Sequence, residues 1–486
     1  MTRRPQEGRP ALRAHGSGTT TPSLIAGTIP RLRALAAATL PVHPDTEQAL
    51  SRRWDELPAD ARTPAQLLGR RTVGCEGTHG VFPRCDLSCT PCYHARETNG
   101  VRTDGAHTLA QVDAQMAYLR QTRGTGQHAQ LIGGEVTLLD PDDHAAALQA
   151  MRRRGRKPMS MTHGDFDYEY LERLAIGPDG RRRFDLLRFA GHFDSLMLGR
   201  RGIPRPKIEA ELHPYRRQFV QQFKRLRREH GVRYDLAHNM TVTPRNLHQV
   251  AEVTRACLPM GFGMLSFQPA AYVGNPKRWR ENFHEVSIDA VWAEIERGAG
   301  TRLPWRHLQV GDPRCNRSAY GVLAGGRWTA LLDDRDPRDL NVRDAFLAAF
   351  GGMDFERPRG VLAVAVTRAV ARRPRIVPAA LGWAARFVRR TGPRRLLTGR
   401  PRGMTFVVHA FMDTDVVRPA WDALERGETA EDPAIRAAQQ RLQTCSYAMA
   451  HPDQDRVVPA CVQHAVLDPQ ENARLKRLLP LSGARS

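Results

Sequence analysis

One short stretch constrains this chain more than any other: Cys85-Asp86-Leu87-Ser88-Cys89-Thr90-Pro91-Cys92-Tyr93. Its three thiols are spaced C-x3-C-x2-C, so a loop that wraps back on itself can aim each sulfur at one small object. Three are too few to close a structural zinc site, which takes four nitrogen or sulfur ligands and usually brings them as two C-x2-C pairs. His94, the nearest extra donor, is badly placed to complete a second pair. An iron-sulfur cube held by three cysteines keeps one iron open for another ligand. The competing reading is three buried core cysteines, since cysteine often behaves as a small apolar residue.

About forty residues on comes Leu131-Ile132-Gly133-Gly134-Glu135-Val136-Thr137-Leu138. Glycines let a backbone approach a ligand closely, and a carboxylate suits an ammonium group. Together the two stretches resemble the radical S-adenosylmethionine (SAM) superfamily, whose C-x3-C-x2-C loop ends in an aromatic residue and whose second strand leads into a Gly-Gly-Glu-Pro-like turn. Cys85, Cys89, Cys92 and Tyr93 match the first motif. Gly133, Gly134 and Glu135 match the second, with Val136 in place of the usual proline. The resemblance implies that the three cysteines hold a [4Fe-4S] cluster and that Tyr93 lies against the adenine of SAM. It implies that Gly133, Gly134 and Glu135 bind the methionine end, and that the reduced cluster cleaves SAM to a 5′-deoxyadenosyl radical. A reductant protein such as flavodoxin or ferredoxin would supply the electron.

Patterning around the motifs alternates strand and helix, as in a parallel α/β sheet. Residues 1–23, rich in Arg, Gly, Pro, Ser and Thr, are expected to be disordered, and residues 24–78 to form a helical extension with a helix from Pro44 to Leu57. Strands are expected at 130–132, 158–162, 189–198, 234–243 and 263–268, with Gly80–Arg84 leading into the cysteine loop. Helices are expected at 109–119, after Asp140, at 212–230 and at 247–258. Six βα units over 79–300 fit the partial (β/α)6 barrel that the resemblance implies. Both motifs would share one rim with Thr162-His163, Asn239-Met240-Thr241 and Gln268-Pro269, because strand ends gather the loops of every unit. Taken singly, His163, His192 and Asn239 read as loop or satisfied core residues rather than ligands.

Residues 301–486 carry Cys315, Cys445 and Cys461 as single, widely spaced cysteines. His409-Ala410-Phe411-Met412-Asp413, Cys445-Ser446-Tyr447-Ala448 and Val457-Val458-Pro459-Ala460-Cys461 resemble the C-terminal pattern of the archaeal tetraether lipid synthase and dihydropterin methylase group. That resemblance implies an auxiliary [4Fe-4S] cluster held by Cys315, Cys445 and Cys461. The group usually has a further cysteine where this chain has Gly311, which leaves Cys75, Cys257, a substrate or a noncysteine group as the fourth ligand. Three unrelated buried cysteines are the alternative.

Charge enters with the segment from Phe355 to Gly403, which holds thirteen arginines and one carboxylate, Glu356. Its apolar runs between arginine pairs suit amphipathic helices on an anionic membrane surface, or an RNA backbone. A solvated, partly disordered insertion is the plain alternative. The whole chain has a formal charge of +22, from 73 Lys+Arg against 51 Asp+Glu, which suggests an anionic partner or simply a biased composition. Eight cysteines in 486 residues do not resemble a secreted disulfide framework, so a cytoplasmic location is expected, with peripheral membrane contact left open. No apolar run reaches the roughly 20 residues of a spanning helix.

These features imply a radical SAM enzyme that abstracts hydrogen from an unactivated C–H bond. The C-terminal resemblance implies C–C bond formation or methyl transfer on a lipid-like or heterocyclic substrate. The alternatives are a radical SAM enzyme modifying RNA or a peptide, and a noncatalytic zinc-dependent binding protein. No residue is singled out as the radical quencher, and helix-borne Cys257 reads as a core residue.

Overall fold

The computed structural model describes residues 36–92, 99–274 and 276–481. Tyr93 and the segment 1–23 lie outside the described residues. In chain order the strands begin with β1 (Cys75–Gly77), β2 (Ser88–Cys89), β3 (His128–Leu131), β4 (Lys157–Thr162), β5 (Leu186–His192), β6 (Met197–Leu198), β7 (Arg233–Val242) and β8 (Met264–Pro269). Then come β9 (Asn316–Ala324), β10 (Arg327–Ala330), β11 (Arg402–His409), β12 (Tyr447–His451) and β13 (Arg456–Pro459). Strands β1, β3, β4, β5, β7 and β8 lie side by side, every neighbouring pair parallel, in the order of the sequence. These are the six strands of a curled, open α/β sheet.

Local chemistry explains the alternation. Asp104, Asp140, Asp167 and Ser287 each accept a backbone N–H at the start of the helix they precede, which satisfies a donor the helix itself leaves orphaned. Gly231 and Gly300 close their helices in the left-handed conformation that a side chain resists. One face of the sheet packs on these helices around Phe189, Phe219, Phe223, Phe262 and Phe267, all buried. On β11 the burial alternates, Met404, Phe406 and Val408 being buried while the residues between them are half-buried.

Two boundaries differ from the sequence reading. The first parallel strand is Cys75–Gly77, ahead of the barrel start placed at 79. The fourth ends at His192 rather than running to Leu198, because Asp194 turns the chain by accepting the Leu196 N–H at 3.0 Å. Met197 and Leu198 then pair antiparallel with Ser88 and Cys89.

The chain after residue 300 builds on the same sheet at both edges. β11 runs parallel to β8, followed by antiparallel β9 and β10; β12 runs parallel to β1, followed by antiparallel β13. The resulting order is β10-β9-β11-β8-β7-β5-β4-β3-β1-β12-β13. Curling brings the two edges near each other: Arg441, just ahead of β12, donates from Nε to Cys315 Sγ, just ahead of β9, at 3.0 Å.

The basic segment folds as helices Arg359–Arg372, Ile376–Thr391 and Pro393–Thr398. Arg386 and Arg390 dock it by pairing with the buried Asp339 carboxylate at 2.7 and 2.6 Å. Leu381 and Leu397 stay exposed among the remaining arginines, at 67% and 85%. Among the described residues, no helix is long and apolar enough to cross a membrane.

Candidate active site at the strand ends

The cysteine loop and the glycine turn touch directly. Gly134 N–H donates to Phe82 O and Glu135 N–H to Arg84 O, both at 2.8 Å. A Cβ on Gly134 would sit 1.9 Å from Arg84 O, and one on Gly133 would sit 2.9 Å from Phe82 O. The glycines therefore serve first to bring the two stretches together, a close approach of backbone to backbone. Cys85 is held by Asn99 Oδ1, which accepts its N–H at 3.2 Å, and Thr90 N–H donates to Leu196 O at 3.2 Å.

Cys85, Cys89 and Cys92 line a cavity of about 180 Å³ together with Gly133, Gly134, Glu135, Thr162, His163, His192, Asp194, Thr241, Gln268 and Phe411. All but the last belong to the carboxyl ends of the six parallel strands or the loops that follow them. Asn239 is buried within β7 and takes no part in the lining.

Glu135 is 1% exposed and its carboxylate is fully engaged. Oε1 accepts from Thr137 N–H, Thr137 Oγ1 and Thr162 Oγ1 at 3.0, 2.7 and 2.7 Å, and Oε2 from His163 N–H at 2.7 Å. It is an anchor between the β3 turn and the end of β4, where the sequence suggested an acceptor for an ammonium group.

His163 is a relay within the wall. Its Nδ1 accepts the Asp165 N–H at 3.0 Å, so the hydrogen sits on Nε2, 2.7 Å from Asp86 Oδ1. Burial opposes a charge on His163, but Glu135 and Asp86 outweigh it and raise its pKa. Cys85, Asp86 and His163 each bring a donor atom within 4.8 Å of the others, although the His163 nitrogens are already committed. His192, beside His163 at the end of the neighbouring strand β5, presents Nε2 to Asp194 Oδ2 at 2.7 Å and to Thr241 Oγ1 at 3.1 Å. Burial acts to raise the Asp194 pKa, and His192 with two backbone N–H groups brings it below the usual carboxylate range. Thr241 lies on the rim where the sequence places Asn239-Met240-Thr241, whereas Asn99 carries no signal in the sequence, because only the folded loop brings it to the Cys85 N–H.

Burial, then Glu135, pushes the Cys85 thiol up to about 12. The Cys92 thiol beside it, then burial, lifts Cys89 well above its ordinary value. Crowded thiols without a cation stay protonated; a polynuclear iron centre reverses this by holding all three as thiolates. Three soft donors at the mouth of a cavity fit a cube with one open iron.

Cys315, Cys445 and Cys461 share one neighbourhood across the meeting edges. Cys315 is pushed up to about 11, by burial first, with Arg441 opposing and Cys445 adding to the rise. Cys461 is raised by burial and then by Cys445 and Cys315. Cys257 is in the helix-packed core and remote from them, with Arg216 and Glu209 as its charged neighbours. Cys75 is nearer, in register with Tyr447 two residues beyond Cys445. Gly311 has φ +83° and its Cβ would lie 2.6 Å from Thr444 O, so this backbone has no room for a cysteine there.

No known protein-family profile and no curated protein matches the chain. Among solved structures it is similar to Streptococcus suis SuiB bound to precursor peptide SuiA, at 15% identity over 53% of this chain and 48% of that one, TM-score 0.28. It is similar to anSMEcpe with bound AdoMet and Cp18Cys peptide at 14% identity over 46% and 57%, TM-score 0.30. For anSMEcpe with bound AdoMet the identity is 13% over the same shares, TM-score 0.30. The match spans about half the length of each of those chains.

Proposed function

We propose that this protein is a radical SAM iron-sulfur enzyme that reductively cleaves SAM and abstracts hydrogen from an unactivated C–H bond. The observation that carries the reading is the meeting of Cys85, Cys89 and Cys92 with the Gly133-Gly134-Glu135 turn at one cavity, at the carboxyl ends of six parallel strands. When bound, the cluster and SAM supply the electron and the 5′-deoxyadenosyl radical.

The chain's own residues hold, orient and shield. Cys85, Cys89 and Cys92 ligate iron, and the backbone edge at Gly133 and Gly134 receives the methionine end of SAM. Glu135 keeps that edge in place through Thr137, Thr162 and His163. Tyr93 is proposed to lie against the adenine. Pro269, Val273 and Phe411 form an apolar side of the cavity that limits water, while His192 and Asp194 give it one polar wall. Cys315, Cys445 and Cys461 are proposed to hold an auxiliary cluster whose fourth position is not filled from residue 311.

The C-terminal resemblance favours C–C bond formation or methyl transfer on a lipid-like or heterocyclic substrate. Modification of RNA or a peptide is the second reading, and the arginine-rich helices of 355–403 favour a polyanion such as RNA within it. Exposed Leu381 and Leu397 among those arginines also suit peripheral contact with an anionic membrane surface.

The test uses protein purified without oxygen. Iron and sulfide are measured, then 5′-deoxyadenosine formed from SAM with dithionite, comparing wild type with Cys85→Ala/Cys89→Ala/Cys92→Ala. About eight irons correspond to two cubes and about four to the SAM cluster alone. Deoxyadenosine should vanish in the triple variant. Absence of iron and of deoxyadenosine in wild type would sink the proposal.

A further inference from the structure

Away from the cavity, three side chains from distant segments face one another: His79 just past β1, His451 at the end of β12 and Glu471 on the helix Asp468–Leu478. The two imidazoles stack with centroids 4.0 Å apart and 24° between planes. His79 Nδ1 lies 3.0 Å from Glu471 Oε2, and His451 Nδ1 lies 3.8 Å from Oε1. One donor atom from each residue falls within 4.8 Å of the other two.

The far side of each ring decides where its hydrogen sits. His79 Nε2 is 2.6 Å from the Ala450 carbonyl oxygen, which only accepts, so Nε2 carries the hydrogen. His451 Nε2 is 2.6 Å from Gln463 Oε1. That amide has no freedom to flip, because its nitrogen donates to Asp468 Oδ1 at 2.9 Å and Glu471 Oε2 at 3.0 Å, both acceptors. His451 must therefore donate from Nε2 as well. With both Nε2 atoms spent, the neutral rings turn two Nδ1 lone pairs toward one carboxylate. A proton on His79 Nδ1 would satisfy only Oε2 and leave the His451 lone pair facing Oε1.

A cation that accepts all three resolves the conflict, and metal-binding histidines are oriented in this way, with the remote N–H on a carbonyl or amide. Gln115 presets His79 by bonding both its N–H and its C=O, at 3.2 and 2.9 Å. The Glu471 side chain is 24% exposed, which provides an entry path and a place for a water ligand. We propose that His79, His451 and Glu471 form a divalent-cation site, of the two-imidazole and one-carboxylate kind that suits zinc, and that it staples the C-terminal helix to the segment leading into the cysteine loop. The site is independent of the radical chemistry.

The test is zinc binding by the full chain in the Cys85→Ala/Cys89→Ala/Cys92→Ala background, where the cysteine loop cannot compete. Because Cys315, Cys445 and Cys461 remain and can take zinc themselves, the expected result is about one zinc per chain more than in the Glu471→Gln variant, with a melting temperature that falls on chelation and recovers on adding Zn²⁺. Glu471→Gln should abolish the response. Gln463→Ala keeps all three ligands and should weaken zinc binding about 10–100-fold. Zinc that is unaffected by Glu471→Gln, or a parent that binds no zinc and melts identically with Zn²⁺ and chelator, would overturn the proposal; the second result leaves a proton between His79 and Glu471.

Discussion

Replacing Glu135 by glutamine separates an anchor from a ligand contact. The carboxylate accepts four hydrogen bonds from Thr137, Thr162 and His163, at 2.7 to 3.0 Å, and it is 1% exposed. An amide has one oxygen, so its best placement keeps the Thr137 and Thr162 bonds and turns NH₂ toward the His163 N–H, donor against donor. That loses one bond to a charged acceptor, about 1.5–3 kcal/mol, and weakens the other three by up to about 1 kcal/mol each. The smaller desolvation cost of the neutral amide offsets part of this, leaving a net loss of about 3 kcal/mol. Urea unfolding of the apoprotein should therefore show a midpoint shift at unchanged slope. SAM affinity, measured by equilibrium dialysis under conditions where both proteins are folded, should fall less than tenfold. Wild-type stability combined with abolished SAM binding would refute the reasoning, because the carboxylate would then be contacting the ligand.

Gly134→Ala should prevent the two signature stretches from meeting, since its Cβ would lie 1.9 Å from Arg84 O, at a cost of about 1–3 kcal/mol or more. Iron content after anaerobic reconstitution should fall well below that of Gly133→Ala, whose nearest contact is 2.9 Å. His144 is bonded to Tyr170 Oη and Ser160 Oγ at 2.9 and 2.8 Å, and burial lowers its pKa to about 3. Below an unfolded pKa of about 6.5 the unfolded chain binds the proton and the folded one does not, so this contribution is complete above that pH. It is lost toward pH 3 at about 1.4 kcal/mol per unit. Unfolding free energies of wild type and His144→Gln should converge from pH 6.5 to 4.5, and a constant gap would count against the neutral buried ring.

Legibility followed sequence distance. The cysteine triad and the Gly-Gly-Glu turn each lie within a few residues, so spacing alone announces them. Four of the six parallel strands fall within a few residues of expectation, because short runs with apolar residues between glycine- and proline-bearing turns leave a local mark. The strand Cys75–Gly77 was missed: three residues, one a buried Glu76 paired with Arg123 and Arg156, carry no alternating pattern. The fourth strand was read too long because its end depends on Asp194 accepting the Leu196 N–H.

The sequence by itself determined that three thiols can share one object, that a glycine turn follows, and that strand and helix alternate around them; these are consequences of spacing and local propensity. Only the tertiary structure decided that Glu135 turns inward as an anchor and that Gly134 serves a contact with Arg84. It also decided that β11 and β12 extend opposite edges of one sheet, and that His79 meets His451 and Glu471. The reason is physical: curling an open sheet brings together residues hundreds of positions apart, and a side chain's partner across such a distance leaves no period or spacing in the chain.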